Sequence, residues 1–212
     1  MRIVIKLGTS TLTNSTPHLA PPLLIELARQ VSQLQADGHQ VIMVSSGAIA
    51  IGRERLNFPQ LPKDIPAKQM LAAIGQSRLM ALYEQIFGLY GITVAQVLLT
   101  RMDLASRKRY LNARNTLIAL IEHGVIPIIN ENDTVATEEI RVGDNDNLSA
   151  LVSNLVDANW LILLTDQQGL HTADPRFNPE AELVEEVTTR EISPELWRAA
   201  GGSETGLGTG GM

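Results

Sequence analysis

Five short apolar runs, rich in β-branched residues, punctuate the chain at residues 3–5, 41–44, 92–99, 125–129 and 160–164. Each is bounded by Gly, Asn, Asp or Thr and reads as a strand buried on both faces. Longer amphipathic stretches separate them. The first has clear punctuation: Pro21 and Pro22 suit an opening helical turn, Leu24, Leu27, Ala28, Val31 and Leu34 form one face, and Gly38 suits the position just past the end. Further helical patterns cover roughly 67–88, 104–122 and 147–157. Strands separated by helices require crossovers, and crossovers make a parallel sheet covered on both sides. The expected fold is therefore α/β, a three-layer αβα sandwich around a mainly parallel sheet. The stretch from Arg53 to Pro66 holds Pro59, Pro62 and Pro66 and reads as a surface excursion.

At 212 residues and 44% hydrophobic, the chain is long enough for one domain with a sizeable core. Its 17 basic and 23 acidic residues leave a net charge of −6, which argues against nucleic acid or an anionic membrane as the main partner. There is no cysteine, so disulfide frameworks, thiolate metal sites and cysteine nucleophiles are excluded. No apolar run approaches the ~18 residues of a membrane span. Met1-Arg2-Ile3-Val4-Ile5-Lys6 is charged too early for a secretory signal, and a cytoplasmic protein is expected.

In a parallel sheet of this kind, ligands bind beyond the carboxyl ends of the strands. The residues that follow the apolar runs are Lys6-Leu7-Gly8-Thr9-Ser10, Ser45-Ser46-Gly47-Ala48, Asn130-Glu131-Asn132-Asp133 and Thr165-Asp166-Gln167. Any one would be ordinary turn chemistry, but polar ends recurring at strand after strand point to a site. Lys6 beside Gly8 suits a phosphate, although no P-loop pattern occurs. Ser45-Ser46-Gly47 before a small-residue stretch suits a helix N-terminus with free N–H groups.

Gly143-Asp144-Asn145-Asp146-Asn147 fails the EF-hand pattern, because Leu148, Ser149 and Leu155 stand where that loop needs an oxygen ligand, Gly and Glu. An Asx-rich turn capping the next helix, a magnesium-nucleotide site and an organiser of nearby cations all stay open. Six of the 16 glycines lie in the last twelve residues. Gly206-Leu207-Gly208-Thr209-Gly210-Gly211 follows a helical pattern instead of a strand, so it reads as a floppy segment or a phosphate-covering loop, not a dinucleotide fingerprint. His18, His39, His123 and His171 lack metal-ligand spacing, Arg107-Lys108-Arg109 reads as a solvated face, and no serine-hydrolase elbow or acid–base carboxylate pair is present.

These blocks, with Ala173-Asp174-Pro175-Arg176, together resemble the amino acid kinase family from Arg2 to Met212. Asn130-Glu131-Asn132-Asp133 and Gly143-Asp144-Asn145-Asp146-Asn147-Leu148-Ser149-Ala150 set the chain apart from acetylglutamate, carbamate and uridylate kinases. They resemble the members that phosphorylate the γ-carboxylate of L-glutamate with ATP and Mg²⁺ at the start of proline biosynthesis. A carboxylate nucleophile is already ionised at neutral pH, so no general base is required. Charge on the transferring phosphoryl group must instead be met by cations and N–H dipoles.

The resemblance implies catalytic roles for Lys6, which would contact the ATP phosphates, and Asp146, which would orient the catalytic lysines. It implies glutamate binding by Ser46, Gly47, Ala48, Asp133 and Asn145. Gly8, Thr165, Asp166 and the loop Gly208-Thr209-Gly210-Gly211-Met212 would join Lys6 at the nucleotide. It further implies feedback inhibition by proline near residues 130–147 and a homo-oligomer. In the family the late glycine loop leads to a lysine, further strands and helices, and often a small RNA-binding-like domain. Residues 1–212 thus read as the N-terminal and central part of the kinase domain. Two alternatives are a catalytically impaired glutamate- or proline-binding fragment, and an amino acid kinase acting on another carboxylate or carbamate.

Overall fold

The computed structural model of the chain describes residues 1–136, 145–165, 168–175 and 177–188. It contains a five-stranded, wholly parallel sheet built from β1 (Arg2–Leu7), β2 (Gln40–Ser45), β3 (Val94–Leu99), β4 (Ile126–Glu131) and β5 (Trp160–Leu164), in the order β3-β4-β2-β1-β5. Period-2 alternation explains the layers. Ile3, Ile5, Leu7, Val41, Met43, Ile126 and Ile128 pack on one face against α2 (Pro21–Ala36) and α4 (Ile65–Gly88). Val4, Ile42, Val44 and Ile129 pack on the other against α6 (Arg107–Glu122) and α7 (Asn145–Leu155). The result is the α/β three-layer sandwich that the apolar runs implied.

The boundaries differ from expectation in instructive places. The helix expected over 104–122 is two helices, α5 (Arg101–Ala105) and α6, parted by the extended Ser106 at φ −83°, ψ 115°. The earlier start comes from a capping box: Thr100 Oγ1 accepts from the Asp103 N–H at 3.2 Å, and Asp103 accepts the Thr100 N–H at 2.8 Å. The basic residues 107–109 do open α6, on its exposed side. Pro66 belongs to the first turn of α4, whose N-cap Asp64 accepts the Ala67 N–H at 3.0 Å, so only residues 56–64 form the excursion. β4 runs on through Asn130 and Glu131, paired with Leu98 and Leu99 of β3, where a strand ending near Ile129 was expected. Two short helices flank the strand ends: α1 (Thr9–Thr13) after β1, which was not anticipated, and α3 (Ala48–Arg55) after β2, where Ser45-Ser46-Gly47 suited a helix start. Among the described residues no helix is long and apolar enough to cross a membrane.

Candidate active site

Most of the buried polar side chains lie at one end of the sheet. Lys6, Ser45, Thr100, Asn130, Glu131, Asp133, Asn145 and Ser149 are all buried at or just beyond the carboxyl ends of the strands. Burying so many polar groups is costly unless each finds a partner or serves a ligand. Lys6 shares its strand face with Val4, so its side chain rises toward α7. There its ammonium meets Asp146 Oδ1 at 2.5 Å, with the two side chains 10% and 24% exposed. Asp146 lies in the first turn of α7, where a carboxylate also suits the helix dipole.

Gly8 stands beside this pair at φ −75°, a conformation open to any residue. What distinguishes it is space: a Cβ there would lie 3.5 Å from Lys6 Nζ and 3.7 Å from the Leu164 carbonyl oxygen. Glycine therefore leaves the approach to the ammonium bare, instead of enabling a turn.

Ser46, Gly47 and Ala48 carry the chain from β2 into α3. Gly47 is the N-cap residue at φ +95°, and a Cβ would also strike Leu12 Cδ1 at 2.8 Å. Among the described residues no side chain caps this helix, so its leading N–H groups are left as donors just past the end of β2. The position of α3 is set by its contact with α4. A Cβ on Gly75 would fall 1.7 Å from the Ala48 carbonyl oxygen, and one on Gly52 would fall 2.0 Å from that of Leu71. The two backbones thus touch without side chains between them.

Asn145 ties this segment to the neighbouring strand. Its Nδ2 lies 2.9 Å from Ser46 Oγ, 3.1 Å from the Ser45 carbonyl and 2.9 Å from Asn130 Oδ1. Beneath it, Ser45 Oγ and the buried Tyr83 hydroxyl are 2.7 Å apart. Burial pushes the Tyr83 phenol well above its ordinary pKa, against the opposing pull of that hydrogen bond. Asp133 is buried two residues past β4, and burial raises its carboxyl from 3.8 to about 6.

Expected partners therefore meet in two groups, Lys6 with Gly8 and Asp146, and Ser46, Gly47 and Ala48 with Asn145. Asp133 has no ion pair with either group. Thr165 follows β5 at the same edge. Asp166 and Gly208, Thr209, Gly210, Gly211 and Met212 lie outside the described residues. So do Gly143 and Asp144, which leaves the Asx-turn reading of that segment untested.

Sequence reasoning gave no role to Gln76, Asn130 or Tyr83. Gln76 accepts from Asn130 Nδ2 at 2.9 Å. Its signal was available: the residue shares a helical stripe with Ala72, Leu79 and Tyr83, all buried, and an amide inside an apolar stripe needs a partner.

A model of the amino acid kinase family matches residues 1–212. The protein named glutamate 5-kinase in Sodalis glossinidius is 59% identical over 210 residues, covering 99% of this chain and 57% of that protein. Its namesakes in Photobacterium profundum and Aliivibrio fischeri are each 60% identical over 210 residues, covering 99% of this chain and 55% and 56% of those proteins. The chain thus spans a little over half the length of these relatives. With a lysine–carboxylate pair and an amide-held serine at one edge of a parallel sheet, and a family match over its full length, the chain belongs to the amino acid kinase family.

Proposed function

We propose that the chain is the N-terminal and central part of the kinase domain of a glutamate 5-kinase, transferring the γ-phosphoryl group of ATP to the γ-carboxylate of L-glutamate. The products are L-glutamyl 5-phosphate and ADP, and the step opens proline biosynthesis in the cytoplasm. The observation that carries this reading is the placing of a buried cation, Lys6, and a serine held by an amide, Ser46 with Asn145, over adjacent parallel strands.

In the reaction a carboxylate oxygen forms a bond to the γ-phosphorus, the bond from that phosphorus to the β,γ-bridging oxygen breaks, and ADP leaves with the electron pair. No proton moves, so the residues need only position and neutralise. Lys6 faces the phosphates, and Asp146 at 2.5 Å holds its ammonium in one orientation. Gly8 leaves room beside it, while Thr165, Asp166 and the loop Gly208-Thr209-Gly210-Gly211-Met212 complete the nucleotide side. Ser46 and the N–H groups after Gly47 and Ala48 meet a substrate carboxylate, and Asp133 with Asn145 meets the α-ammonium. One ammonium beside one carboxylate suits a phosphate chain carrying Mg²⁺, which neutralises phosphate charge when bound and takes its ligands largely from phosphates and water. Proline as a feedback inhibitor beside residues 130–147 and assembly into a homo-oligomer belong to the same reading.

The test is hydroxamate formation from ATP and hydroxylamine with L-glutamate, L-aspartate or N-acetylglutamate as acceptor, alongside ADP release. Activity with glutamate alone supports the assignment. Activity with aspartate or N-acetylglutamate and none with glutamate overturns the substrate. Thermal stabilisation by glutamate without ADP release identifies a binding fragment.

A further inference from the structure

We propose that Gln76 is a positioning residue that locks the amides at the acidic-substrate site in the direction given by the Glu131 N–H. The Glu131 N–H can only donate, and it points at the Asn130 side-chain carbonyl, Oδ1, at 2.9 Å. That fixes the polarity of the Asn130 amide, leaving its Nδ2 to donate to Gln76 Oε1 at 2.9 Å. Asn130 Oδ1 then also accepts from Asn145 Nδ2 at 2.9 Å. Turning any one of the three amides would set donor against donor or acceptor against acceptor.

Two atoms are left over. Asn145 Oδ1 and Gln76 Nε2 are buried and have no hydrogen-bond partner among the described residues. Asn145 therefore keeps its N–H groups on Ser46 and Asn130 and presents a bare acceptor of the right sign for an ammonium group. Gln76 holds that arrangement from α4, acting through Asn130 and not by touching substrate. Its functional consequence rests on the glutamate-kinase reading, while the amide order itself does not.

The amide order is read by NMR on the ¹⁵N-labelled full chain, as hydrogen exchange of the Asn145 side-chain NH₂. Gln76→Leu removes the acceptor for Asn130 and is expected to speed that exchange by about tenfold or more, the scale of one lost hydrogen bond. Gln76→Glu keeps an acceptor at the same place and should leave the exchange at the wild-type rate. Unchanged exchange in the Leu variant, or acceleration in the Glu variant, overturns the proposal, and the Glu variant decides alone if the Leu variant does not fold.

In a chain that turns over, Gln76→Leu should raise KM for glutamate about tenfold with KM for ATP and kcat nearly unchanged. Combined with Asn130→Ala it should add nothing further. Additive effects, or equal shifts for both substrates, overturn the route through Asn130. A wild-type chain that neither binds nor phosphorylates glutamate sinks the glutamate-kinase reading, yet the exchange comparison still decides the role of Gln76.

Discussion

Lys6 and Asp146 are joined across the gap between a central strand and the first turn of a helix, and neither is fully withdrawn from water. Removing one partner of a fully buried pair costs about 3–5 kcal/mol. Asp146→Asn should cost less here, about 1–3 kcal/mol in chemical denaturation, since Asp146 keeps a quarter of its surface exposed. Gly8→Ala should leave stability within about 0.5 kcal/mol, because φ −75° suits alanine and the new methyl meets only ordinary contacts, yet weaken ATP binding measured by calorimetry. Asp133 titrates differently from both. Its native pKa of about 6 lies above its ordinary 3.8, so between those values the folded chain binds more protons than the unfolded one. Stability contributed at Asp133 therefore falls as pH rises through that window and levels off above it. Glutamate affinity should move the opposite way, rising as Asp133 ionises, and the Asp133→Asn variant should lose both slopes. A glutamate affinity that is flat from below to above pH 6 would remove Asp133 from the ammonium site. At this scale Lys6, Ser46, Asn145 and Asp146 were legible because they sit in blocks that end a strand or open a helix. Gln76 was legible only as an amide inside an apolar stripe, and its partner emerges only when that stripe is set against the sheet.

Among the elements, the pairing of α3 with α4 is the most sensitive to a single atom. Gly75→Ala would place a methyl carbon 1.7 Å from the Ala48 carbonyl oxygen and 2.7 Å from the Gly52 nitrogen. Both neighbours are backbone, so relief requires the helices to part, at the upper end of the about 1–3 kcal/mol typical of overpacking. A Tm lower by roughly 5–10 °C is expected in calorimetry, and glutamate binding should weaken with it because Ala48 follows the Ser46-Gly47 turn. Gly88→Ala at the end of the same helix meets nothing within 4 Å and should be neutral or slightly stabilising. The strands were readable from apolar runs, and α2 from its prolines and Gly38. The break at Ser106 was hidden because the pattern on either side stays helical, and only the Thr100–Asp103 box shows where the first piece starts. The use of Gly52 and Gly75 was not legible, since it depends on a partner helix that a one-dimensional pattern does not display.

Across the whole molecule, protection is graded from the centre of the sheet outward. β1, β2 and β4 are buried almost along their full length, whereas β3 is mostly half-buried, and β5, at the far edge, leaves Trp160 60% and Ile162 39% exposed. Native-state amide exchange should therefore be slowest in β1, β2 and β4, with β5 and β3 opening in smaller fluctuations. Equal protection in all five strands would show that the sheet opens only as a unit. The architecture was legible as a whole because alternating apolar runs and amphipathic stretches admit few arrangements, whereas the strand order was not, since adjacency depends on which crossover skips a neighbour. The seam between α3 and α4 bears on this scale as well. Glycines on both helices meet the facing backbone there, so the two helices fit together in one axial setting, like a key cut for a single ward. A shift by one residue would bring a side chain against a carbonyl. The segment after β2 thus inherits its depth in the molecule from Gly75, more than twenty residues away in sequence, and a change in α4 can retune what that segment accepts.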